Sequence, residues 1–244
     1  MAGAAQPAAI PRASGWRLLF MLICSYIGAQ LVAAAALLAL VGFPRSLAAL
    51  RAVSGLAQSG WQVAITSSLG EIAIFAIAWL FMHRRMSLGA AGLDAPRLRY
   101  LGDGLVLFLF VFLAAILFGL MLHTGDIRSQ LAVAHQLHAW WEGPLIALSA
   151  GFAEEVTFRG YLLAGLRRLL PGAAWLAVVL SSVGFALAHV AWGLQPLQFV
   201  FYVALGVMLA VGVLRSRSVW PAVVAHAGWD ALAFLLLMLK AKGV

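Results

Sequence analysis

The sequence holds one cysteine, Cys24, which excludes an intrachain disulfide and any cysteine-based metal motif. It is also short of charge. Asp, Glu, Lys and Arg together make up 10% of 244 residues, against roughly 25% in soluble domains. That scarcity excludes disorder and a coiled coil, and argues against an ordinary soluble fold. Only eight residues are acidic. No HExxH string occurs, so a zincin-type zinc site has no support. No internal repeat is evident, which weakens a reading as an inverted-repeat transporter.

What the chain has is apolar length. Hydrophobic residues make up 64% of it, and mean hydropathy is +1.01. At about 20 apolar residues per span, there is room for six to eight transmembrane helices. Gly at 24 and Trp at 9 fit close-packed membrane helices with interfacial aromatics. The expected fold is all-α, a polytopic transmembrane helical bundle of about seven spans. Residues 1–17 read as an N-terminal cytoplasmic tail, and 18–244 as a single transmembrane domain. The seven spans are Leu18 to Val41, Trp61 to Met82, Leu105 to Leu122, Pro144 to Leu166, Ala173 to Leu194, Phe199 to Leu214 and Val219 to Leu239. The motif core lies at about 144–239. An interfacial helix is plausible in the mixed stretch between His123 and Gly143.

The net charge of +8 would suggest nucleic acid in a soluble protein. Here the basic residues are scattered among short connections, so they read as topology signals and anionic-lipid contacts. No nucleic-acid partner is expected. With the N-terminus inside, ten of the 16 basic residues fall on the inside and five on the outside, and Arg159 lies within a span. This asymmetry predicts a multi-pass integral membrane protein with a cytoplasmic N-terminus. A bacterial inner membrane is the expected location.

Seven ionisable residues remain inside the spans: Glu71, Glu154, Glu155, Arg159, His189, His226 and Asp230. Each costs roughly 2–3 kcal/mol or more at the bilayer centre unless paired or hydrated. Six of them lie on the fourth, fifth and seventh spans. Glu155 and Arg159 are i,i+4 and can pair on one helix. Glu154 points about 100° away and is free to face another partner. Phe185 shares a face with His189, and Asp230 can hold one nitrogen of His226. Two histidines and one or two carboxylates in a low-dielectric site make a plausible hydrolytic centre. Glu154 could serve as general base for water, and the histidines could polarise a carbonyl or stabilise an oxyanion.

Other polar residues have plainer readings. His135 and His138 suit a surface, Ser181 and Ser182 are expected to back-bond to their own helix, and Glu71 has no motif around it. Helix arithmetic leaves a discrepancy of depth. His189 lies 16 residues from Ala173, while His226 lies seven from Val219, an offset of roughly 13 Å. Tilt, a kink or an embedded Pro171–Gly172 turn is expected to close it.

EExxxR (Glu154, Glu155, Arg159), FxxxH (Phe185, His189) and HxxxD (His226, Asp230), each inside a span and in this order, resemble the CPBP intramembrane proteases, also called the ABI or type II CAAX prenyl endopeptidase family. The resemblance implies a glutamate-type intramembrane peptidase needing no cofactor and acting on a membrane-associated or lipid-modified peptide or protein. It implies that Glu154 activates water, that His189 assists it, that His226 helps bind the oxyanion, and that Glu155 and Arg159 support the site. Asp230 stands where many members have asparagine, and an ionised carboxylate cannot donate to an oxyanion. That departure keeps open a metal held by Glu154, His189, His226 and Asp230. A proton-coupled transporter and a non-catalytic immunity-type membrane protein are the other readings.

Overall fold

The computed structural model describes residues 14–41, 60–122, 136–189 and 196–241. These residues are helical throughout apart from turns and short connections. Helix α1 is Gly15–Val41, α2 is Gly60–Met82 and α3 is Leu98–Leu122. Helix α4, Glu142–Glu155, runs directly into a π-helical segment, Val156–Leu162, and then into α5, Leu163–Leu169. Helices α6, Ala174–Ala188, α7, Pro196–Ser216, and α8, Trp220–Ala241, complete the bundle. With α4, the π segment and α5 taken as one rod, seven rods stand among the described residues.

Five of them, α1, α2, α3, α7 and α8, are long and apolar enough to cross a membrane. The other two are the rods that carry the first two motifs. The fourth is interrupted by the π segment and loaded with charge. The fifth, α6, has 15 residues and ends at Ala188, about 22 Å of helix against a hydrocarbon core of roughly 30 Å. Residues 190–194 of its predicted span lie outside the described residues, as does His135. The third span begins earlier than expected, at Leu98.

Burial is arranged as a membrane solvent requires. Leu105, Leu109, Leu113 and Leu117 form an i,i+4 stripe along α3, and each is at least half exposed. In water such a stripe would be a liability; in lipid it is the solvated face. The interior is built around α4 and the π segment. Helix α1 packs on α2, α2 on α4, α4 on α8, α8 on α3, and α6 on α7. Every residue from Ala153 to Leu163 is buried.

Close approach depends on a small residue at one crossing. A Cβ added at Gly151 would lie 2.8 Å from the backbone nitrogen of Ala227. Only glycine lets α4 and α8 touch there, one turn before Glu154 on α4 and next to His226 on α8.

The depth discrepancy is matched by an offset between the rod ends. The short 3₁₀ turn Gly89–Ala91 bears on the bundle at Gly160, where an added Cβ would lie 3.0 Å from the Ala91 carbonyl oxygen. The Val219 N–H donates to the Gly92 carbonyl oxygen at 2.9 Å. Helix α8 therefore starts about level with Gly160. The rod continues nine residues beyond that level to Leu169, roughly 13 Å, before turning at Gly172 into α6. His189 and His226 reach the same depth from ends that are themselves offset.

Candidate active site

The site forms where the π segment meets α6 and α8. A π-helical turn carries five-residue hydrogen bonds and is common at functional sites. Here the Leu163 N–H donates to the Phe158 carbonyl oxygen, five residues back. The Ser181 hydroxyl on α6 donates to the same oxygen at 2.9 Å. Ser181 was expected to bond within its own helix. It bonds across helices instead, at the carbonyl whose usual i+4 partner the π register has moved. Ser182 does bond within its helix, to the Val178 carbonyl oxygen at 2.8 Å.

Glu155 is the hub. It is fully buried, and its Oε1 accepts from Arg159 Nη1 at 2.9 Å and lies 2.8 Å from His226 Nδ1. His226 Nε2 lies 3.4 Å from Asp230 Oδ2. Glu155 is thus the closer anchor of the imidazole, and Asp230 the looser one. The Arg159 guanidinium lies over the Phe185 ring, 4.2 Å from its centroid, and cation–π attraction favours that placement. Phe185 also meets His226 edge-on at 5.7 Å and His189 at 4.7 Å. It does more than fill space, because one ring positions the arginine and both histidines.

His189 is fixed from two sides. Its Nδ1 lies 2.9 Å from the Phe185 carbonyl oxygen; an oxygen can only accept, so that nitrogen carries the hydrogen. Its ring stacks on Tyr202 of α7, centroids 4.4 Å apart. Nε2 is left with its lone pair, and it faces Glu154 Oε2 at 3.8 Å. That oxygen is buried and has no hydrogen-bond partner. The separation is too long for a direct hydrogen bond and suits two groups that share one water molecule.

The structure therefore brings Glu154, Glu155, Arg159, Phe185, His189, His226 and Asp230 into one cluster. Tyr202 was missed, since nothing in an apolar span distinguishes one aromatic from another. His138 is exposed, away from the cluster. Among the described residues, no three His, Cys, Asp or Glu side chains are arranged to hold a metal ion.

Residues 136–232 match the model of the type II CAAX prenyl endopeptidase Rce1-like family. The match bears out the resemblance drawn from the three motifs, and every motif residue falls inside it. No curated protein and no solved structure matches the chain. The Rce1-like region takes in the rod of α4, the π segment and α5, then α6 and α7, and α8 as far as Leu232. Helices α1, α2 and α3 precede it.

Proposed function

We propose that the chain is an intramembrane endopeptidase that hydrolyses a peptide bond near a membrane-embedded or lipid-attached end of its substrate. The observation that carries this reading is the unpartnered Glu154 Oε2 facing the free Nε2 of His189 at 3.8 Å. A carboxylate and an imidazole nitrogen that both accept hydrogen bonds can hold one water molecule by its two hydrogens. Glu154 takes a proton as the water oxygen adds to the scissile carbonyl carbon. The carbonyl oxygen becomes an oxyanion and is met by His226 Nε2–H, which turns from its long contact with Asp230 while Glu155 holds the other side of the ring. When the carbon–nitrogen bond breaks, its electron pair goes to nitrogen, and nitrogen takes the proton from Glu154. Water has then supplied hydroxyl to the acid and hydrogen to the amine.

No metal or cofactor enters this sequence. The Rce1-like match favours lipid-modified protein substrates, and a membrane-bound, prenylated C-terminus is the class to try first. The excess of basic residues on one side supports a cytoplasmic N-terminus, and a bacterial inner membrane is the location that goes with this reading.

The test uses the full chain in proteoliposomes with an internally quenched peptide ending in a farnesylated CAAX sequence. Glu154→Gln keeps shape but loses basicity. Its cleavage rate should fall by at least about 10²-fold, the scale of general-base loss, with folded yield unchanged. Near-normal cleavage by this variant, or no cleavage by the wild type, overturns the reading. Prolonged chelation should leave wild-type cleavage intact.

A further inference from the structure

Two buried polar groups near the cluster have no role in the chemistry above. They are the Tyr26 hydroxyl on α1 and Glu71 Oε2 on α2, and neither has a hydrogen-bond partner. Both lie outside the Rce1-like region. A buried polar atom in a membrane span is costly unless something satisfies it.

Their placement is fixed by the packing of α2 on α4. Ser68, Glu71 and Phe75 fall at i, i+3 and i+7, one stripe of the helix. The Ser149 hydroxyl donates to Ser68 at 3.0 Å, and the rings of Phe75 and Phe152 lie 5.3 Å apart. Glu71 lies between these two contacts, on the side of α2 that meets α4. Its carboxyl is within electrostatic range of Glu154, His226 and Asp230. The Tyr26 ring is 6.0 Å from that of Phe158, and its hydroxyl is within range of Glu154 and Glu71. The two groups thus approach Glu154 from the α1–α2 side, while the histidines approach from α6 and α8.

We propose that Tyr26 and Glu71 bind the backbone of the substrate peptide beside the scissile bond, Tyr26 donating to a peptide carbonyl and Glu71 accepting a peptide N–H. This rests on the endopeptidase reading. A segment cut inside a bilayer must be extended, and so must give up its internal hydrogen bonds. Each freed N–H and C=O then needs a replacement where no bulk water is available. One unpartnered donor and one unpartnered acceptor beside the general base supply a replacement of each kind.

The same farnesylated, quenched peptide tests it. Tyr26→Phe and Glu71→Leu should each raise KM about tenfold, the scale of one lost hydrogen bond, with kcat changed far less. Glu71→Gln keeps an acceptor oxygen and should stay near wild type. Equilibrium binding of the peptide, read by fluorescence anisotropy in a Glu154→Gln background, gives a second measure that does not depend on turnover. There Tyr26→Phe and Glu71→Leu should weaken binding by the same factor. Unchanged KM and binding in both variants, a loss confined to kcat, or failure of the Glu154→Gln protein to bind the peptide overturns the assignment. If the wild type binds the peptide but does not cleave it, the endopeptidase reading falls, and the binding comparison still decides the role of Tyr26 and Glu71.

Discussion

At the scale of single residues, the site depends on one oxygen atom. Glu155 Oε1 meets both Arg159 and His226, so either partner alone leaves the carboxylate half served. Arg159→Ala strands a buried charge, at a cost on the order of 3–5 kcal/mol. It also removes the cation from the face of Phe185. We expect a lower Tm and lost cleavage together. Glu155→Gln combined with Arg159→Gln removes both charges and should recover part of the Tm, but not activity, since a glutamine holds the His226 ring less firmly. A double variant no more stable than Arg159→Ala would show that the pair is not coupled in this way. The i,i+4 spacing of Glu155 with Arg159 and of His226 with Asp230 was legible because a helix fixes such distances whatever surrounds it. The Glu155–His226 contact, between residues 71 apart, was not. The same is true of Tyr202 stacked on His189.

At the scale of the element, the spans were legible from their apolar length, and their mutual rotation was not. In lipid both faces of a helix are apolar, so no amphipathic stripe marks the buried side. Small residues are the better signal, and Gly151 is one. Gly151→Ala places a methyl group against Ala227 and forces α4 away from α8. Overpacking of this kind costs about 1–3 kcal/mol. The more telling effect is geometric, because the two helices carry Glu155 and His226. We expect cleavage to fall more steeply than Tm, and Ala227→Gly not to restore it, because the nearest atom to the new methyl group is the Ala227 backbone nitrogen. If Gly151→Ala matches the wild type in both, the crossing has slack that the close approach does not suggest. The π segment left no mark in the sequence at all. A π register gains its advantage from what it aligns, here Phe158 with Ser181 and Glu155 with His226, and those partners come from other rods.

At the scale of the whole molecule, the N-terminal helices and the Rce1-like region are joined by a clasp between the connection after α2 and the start of α8. Asp94 is its centre. Ser218 donates to Oδ1 at 2.6 Å, Tyr100 donates to Oδ2 at 2.7 Å, and the Trp220 indole N–H donates to the Asp94 carbonyl oxygen at 2.7 Å. Arg97 lies 3.9 Å from the carboxylate. Partial desolvation works to raise the Asp94 carboxyl, but the hydroxyls of Ser218 and Tyr100, with Arg97 beside them, outweigh it and hold the group below the usual carboxylate range. A carboxyl whose pKa is lower in the folded state binds protons more readily when unfolded. Its contribution to stability is therefore full above the unfolded value, about 3.9, and is lost as pH falls through the folded value. Because α8 begins at this clasp and carries His226, loosening it should reach the active site. Asp94→Asn keeps an acceptor oxygen but not the charge. Its Tm should lie below that of the wild type at neutral pH, and the two should converge as pH drops below about 3.9. Melting curves of both proteins from neutral pH down to about pH 3 provide the check. A Tm gap that persists unchanged into acid would mean that the ionised form of Asp94 does not hold the clasp.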